Sequence, residues 1–213
     1  MSSGGADSSG STRLTTTLRK QVRYWGPAIA VSLTTFIVVV NASLMNVAIP
    51  TIVEEFDTTV TAIQGAVALY SLVIAALVLP GGALPSRRSN RRVMVAALLV
   101  YAAGTGVAAI SWNTTVLYLG WGVIEGAAAA VIFPLTYTEL TVSYDGDDRA
   151  KAFGLLAGVN GVGSTLGPII GGALTTFASW RWGFTIQLVG VGVILYFARY
   201  VSPDPLSETP GSL

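Results

Sequence analysis

Long apolar runs alternate with short charged stretches along this chain. No charged residue falls between Arg23 and Glu54, between Asp57 and Arg87, between Arg92 and Glu125, or between Lys151 and Arg181. A helix crosses the hydrocarbon core with about 20 apolar residues, and helices satisfy their own backbone groups where no water does so. The run after Arg92 is too long for one crossing, and the polar turn SWNTT at 111–115 divides it. The pattern therefore predicts six spans at 27–49, 62–84, 93–112, 115–138, 152–176 and 182–200, an all-α integral membrane bundle over 25–200. The opening MSSGGADSSGST reads as part of a disordered tail over 1–24. The closing SPDPLSETPGSL reads as a solvated tail over 201–213.

Composition narrows the function classes. Of 213 residues, 52% are hydrophobic and only 11% charged, against about 25% charged in a soluble domain. Cys and His are both absent, which removes disulfides, thiol nucleophiles, histidine bases and the usual zinc sites. No nucleophile–base constellation replaces them, so the sequence is not read as an enzyme and calls for no cofactor, no metal and no nucleic-acid partner.

The basic residues predict orientation. Arg13, Arg19, Lys20 and Arg23 precede span one; Arg87, Arg88, Arg91 and Arg92 fill the next even-numbered loop; Arg149, Lys151 and Arg199 follow the same side. Only Arg181 falls opposite, with Glu54, Glu55 and Asp57. Short loops rich in Lys and Arg stay in the cytoplasm, so both termini are expected inside the plasma membrane. The stretch LPGGALPSRRSNRRV is thus first a topology signal.

Polar residues within the spans are few. Thr34 and Asn41 share a face of span one; Gln64 opens span two; Tyr118, Trp121, Gly122 and Glu125 share a face of span four; Gln187 lies in span six. An ionised acid at the bilayer centre costs roughly 2.5–3.5 kcal/mol or more, so such residues face a cavity or a partner. In span five, Gly163, Gly167 and Gly171 fall on one arc with Asn160 and Ser164, and Gly154, Gly158 and Gly161 mark a second. Small residues so spaced let helices approach closely in lipid. Pro168, followed by Gly171 and Gly172, adds a point of bending.

Five segments together resemble the first six spans of the major facilitator superfamily, and within it the fourteen-span drug:proton antiporter branch. GALPSRRSNRR from Gly82 is similar to the family's loop pattern Gly-x-Leu-x-Asp-Arg-x-Gly-Arg-Arg. NASLMNVAIP from Asn41, GVIEGAAAAVIFP from Gly122, GVGSTLGPIIGG from Gly161 and WRWGFTIQ from Trp180 resemble segments of spans one, four, five and six. The departures are specific: Asn41 stands where the branch has an acid, Ser86 for the loop Asp, Ser89 for its second Gly, and Gly122 for the span-four Arg. The resemblance associates the replaced acid and Arg with proton coupling, leaving Glu125 as the intramembrane substitute, with Glu139 toward the cytoplasmic end.

The resemblance implies one half of a transporter, with a second six-span half as partner, a second copy or a separate subunit. Expected work is export of small, partly apolar organic molecules by alternating access, with lipid and substrate as further partners. Thr34, Asn41, Gln64, Tyr118, Glu125, Asn160 and Gln187 are the expected path and coupling residues. Gly82 with Arg87, Arg88, Arg91 and Arg92 is the expected loop gate, and Gly163, Gly167, Pro168, Gly171 and Gly172 the packing and bending set. The alternative is a non-transporting membrane partner or regulator of a full-length transporter, or a truncated-gene product.

Overall fold

The computed structural model describes residues 7–84 and 90–197, with side chains over 24–84 and 90–196. Six helices account for them: α1 Asp7–Glu55, α2 Val60–Gly82, α3 Asn90–Ala109, α4 Thr114–Ser143, α5 Gly146–Phe177 and α6 Arg181–Phe197. The first five are each long and apolar enough to cross a membrane, and α6 is a shorter apolar helix. Polar side chains set the starts. The Thr59 hydroxyl accepts from the Ala62 amide at 3.2 Å, and Asn113 in the SWNTT turn accepts from the Val116 amide at 2.9 Å. Each satisfies a donor that a helix N-terminus leaves open.

α1 begins at Asp7, within the stretch 1–24 expected as a tail, and continues into the first span. The Gly/Ser composition of the first residues gives way after Gly10 to a stretch without glycine, proline-free until Pro27 and with Leu14, Leu18 and Val22 at helical spacing.

Packing follows small residues. α1 lies chiefly along α5, α4 against α2 and α3, and α6 against α3 and α1. On α5, a Cβ at Gly167 would come within 2.4 Å of the Ser43 Cβ, and one at Gly171 within 3.2 Å of the Leu44 side chain. The arc of Gly163, Gly167 and Gly171 is therefore the α1 contact. The second arc meets nothing: at Gly154, Gly158, Gly161 and also Gly172, an added Cβ finds no atom within 4 Å. α5 runs through Pro168, which is exposed, without interruption. α2 and α5 are the least buried of the long helices, whereas α1 is buried over most of its span.

The end of the bundle carrying Glu55 is stapled. Trp180 Nε1 donates to Glu55 Oε2 at 2.6 Å, and the Arg181 guanidinium pairs with Glu55 Oε1, donates to the Ser111 carbonyl and lies over the Trp180 ring at 4.5 Å. One cation thereby ties the ends of α1, α3 and α6.

Gly167→Leu should force α1 and α5 apart and lower bundle stability by about 1–3 kcal/mol, read as a lower unfolding midpoint in detergent. Gly158→Leu, on the open arc, should leave the midpoint of the isolated bundle unchanged.

Candidate functional site: a polar cluster inside the bundle

Glu125 is fully buried in α4. The helix widens into a π-helical stretch over Tyr118–Glu125 that ends on this residue, a distortion frequent at functional sites. Glycines make room for it. A Cβ at Gly104 of α3 would lie 2.7 Å from both the Glu125 amide nitrogen and the Gly120 carbonyl, so the two backbones touch here directly. The same approach brings Thr105 beside the carboxylate: its hydroxyl is 3.0 Å from Glu125 Oε2 and 2.9 Å from the Tyr101 carbonyl.

One turn before Thr105, the buried Tyr101 hydroxyl joins two further helices. It accepts from Asn41 Nδ2 at 2.9 Å and donates to Gln187 Oε1 at 3.2 Å. Asn41, Tyr101, Thr105, Glu125 and Gln187 thus form one buried polar cluster drawn from α1, α3, α4 and α6. Tyr70 of α2 stacks on Trp121 with ring centroids 4.8 Å apart, covering the α2 side of the same region.

The cluster is not saturated. Asn41 Oδ1, Tyr70 Oη, Trp121 Nε1, Glu125 Oε1 and Gln187 Nε2 are buried without a hydrogen-bond partner among the described residues. Each such atom normally finds one, and in an apolar bundle each is costly. Five in one region leave hydrogen-bonding capacity unused inside the bundle.

The remaining expected path residues lie apart. Thr34 is buried and donates to its own helix at the Ala30 carbonyl, 2.8 Å away. Gln64 is exposed in the first turns of α2. Tyr118 donates to the Ala62 carbonyl, and Asn160 on α5 is half-buried with Oδ1 unpartnered. Gly122, where the resemblance leads one to expect Arg, is buried with its Cβ position 3.1 Å from Leu69. A long cation there would have to displace the α2 packing. Tyr101 and Thr105, which hold the cluster together, were no part of the sequence expectation; their signal is a Tyr and a Thr four apart within an apolar span.

At the other end of α4, Glu139 is buried and accepts from Asn90 Nδ2 at 2.9 Å and from Ser143 at 3.2 Å. Gly82 packs on Pro134, its Cβ position 3.2 Å from that ring. Of the expected gate, Arg91 and Arg92 are exposed in the first turn of α3, and Arg87 and Arg88 lie outside the described residues.

Residues 31–212 match the family model of the Major Facilitator Superfamily. A cephamycin export protein of Amycolatopsis lactamdurans is 31% identical over 169 residues, covering 78% of this chain and 35% of that protein. A methylenomycin A resistance protein of Bacillus subtilis (strain 168) is 31% identical over 167 residues, covering 78% of this chain and 36% of its own length. The chain thus spans about a third of the curated relatives it matches. Among solved structures, a peptide transporter in complex with sulfate superposes with a TM-score of 0.71 over 81% of this chain and 37% of that one. At 16% identity, that likeness concerns the fold.

Tyr101→Phe should remove the bridge between Asn41 and Gln187 and cost about 1 kcal/mol of bundle stability, measured by unfolding in mixed micelles. An unchanged midpoint would mean that the hydroxyl does not join the helices.

Proposed function

Because the chain belongs to the Major Facilitator Superfamily, we propose that it forms one six-span half of an exporter of small, partly apolar organic molecules. The second half is another six-span bundle, carried by the same chain, a second copy or a separate subunit. The observation that carries this reading is the buried, unsaturated polar cluster around Glu125 and Tyr101 in an otherwise apolar bundle.

The mechanism follows from the chemistry of that cluster. A carboxylate without a cation beside it is expensive in a water-free interior, so Glu125 exchanges a proton rather than standing permanently charged. When protonated, the carboxyl donates into Thr105 Oγ1, and that hydroxyl donates on to the Tyr101 carbonyl. When deprotonated, the carboxylate takes the Thr105 donor back. The swap changes the bond to the backbone carbonyl of Tyr101, the residue whose hydroxyl holds α1 and α6 through Asn41 and Gln187. Proton occupancy thereby biases how the helices meet, as alternating access between two rocking bundles requires. Asn41 cannot titrate, so Glu125 takes the part that the drug:proton antiporter branch gives to its span-one acid.

The open glycine arc of α5 and the weakly buried α2 support a second bundle covering those faces, as small residues favour close approach in lipid. The distribution of basic residues supports cytoplasmic termini. The replaced acid at Asn41 and the close Gly122–Leu69 contact favour a second reading, a membrane partner that regulates a transporter without moving cargo itself.

Expressed with its second bundle in an efflux-deficient host, the protein should raise severalfold the tolerated concentration of at least one compound from a panel of apolar antibiotics that includes methylenomycin A. Glu125→Gln should return tolerance to the baseline at an unchanged membrane level. Retained tolerance would remove Glu125 from coupling, and no protection by the wild-type protein would favour the regulatory reading.

A further inference from the structure

The helical extension ahead of the first span has no role in the site just described. At 100° per residue, Leu14, Leu18, Val22 and Trp25 fall within an arc of roughly 80°, and Arg13, Arg19, Lys20 and Arg23 within roughly 120° on the other side. No acid occurs from residue 8 to residue 53. Such a division of apolar and basic residues suits a helix lying in a membrane interface.

The helix ladder is weakened at the junction with the span. Pro27 lacks an amide hydrogen, so the Arg23 carbonyl has no partner in the helix ladder. The next rung is contacted from outside: the Tyr144 hydroxyl donates to the Tyr24 carbonyl at 2.8 Å and accepts from the Ala28 amide at 3.2 Å. A side chain inserted at a rung is a recognised origin of helix kinks. The junction itself is anchored, since Trp25 stacks on Tyr144 at 5.2 Å and Tyr24 donates to Asp148 at 2.7 Å. Tyr and Trp concentrate at the membrane–water interface, which puts the residues just before them at headgroup level.

We propose that residues 12–25 form a basic amphipathic helix that docks on the anionic phospholipid surface at the membrane face where the amino terminus lies, turning at the Pro27–Tyr144 junction. Charge complementarity selects the occupant: four cations on a segment with no acid of its own meet phosphate headgroups, each basic residue strengthening docking about fivefold. Leu14, Leu18 and Val22 then enter the acyl boundary, which a purely electrostatic contact would not require. The inference does not depend on cargo, coupling or a second bundle.

The chain has no cysteine, so single variants Leu18→Cys and Thr16→Cys, at positions on opposite sides of the helix, can each carry the fluorophore NBD in the full chain. In vesicles of phosphatidylcholine with about one third phosphatidylglycerol, the label at 18 should emit to the blue and be quenched by doxyl-labelled lipid. The label at 16 should stay water-like. The label at 18 should become water-like too in pure phosphatidylcholine or near 0.5 M salt, where screening shortens to a few ångströms. Adding Arg19→Gln and Lys20→Gln should lower the salt concentration that releases the helix. A water-like label at 18 with phosphatidylglycerol present, equal signals at both positions, or a signal indifferent to lipid charge would overturn the proposal. A blue-shifted label at 18 that doxyl-labelled lipid does not quench would indicate a protein partner and overturn it equally.

Discussion

Hydrocarbon offers no hydrogen bonds, and that constraint organises this bundle. It makes every span a helix, and it drives the few polar side chains of the spans toward one another. Tyr101 is where they meet: one hydroxyl receives Asn41 from α1 and serves Gln187 on α6, while the next turn of α3 presents Thr105 to Glu125. The cluster positions four helices at once. Its leftover donors and acceptors give the bundle a chemistry that its apolar surface lacks.

Close backbone approach is the complementary device. Gly104 and Gly120 bring α3 onto the π-helical stretch of α4, which allows Thr105 to reach the carboxylate. Gly167 and Gly171 do the same for α5 on α1. Without hydrophobic driving force between helices in lipid, such fit supplies much of the cohesion. At the Glu55 end, Arg181 adds a polar staple where water is at hand. The helices are therefore tied inside and at one end, while no described residue covers the second glycine arc of α5.

Much of the all-helical architecture was legible because charge-free runs of spanning length have few other solutions. The α1-facing arc on α5 was legible as a face, since a spacing of four stacks glycines on one side, but its partner was not. Asn41, Glu125 and Gln187 stood out as polar residues within spans. What joins them depends on the rotation of α3, a tertiary property that no single span records, and Tyr101 reads as an ordinary amphipathic aromatic. Gln64, near the start of α2, is exposed and stands apart from the cluster, since a polar residue at a span's start can meet water and needs no buried partner. The early start of α1 was masked by the Gly/Ser composition of the first residues, which outweighed the helical spacing of Leu14, Leu18 and Val22.

On the function proposed above, this bundle works against a second one across the open faces of α2 and α5. The native mass of the protein, released intact from its membrane in mild detergent, tests that most directly. The account predicts two six-span bundles in each particle, whether they share a chain or not. A stable particle containing a single bundle would contradict it.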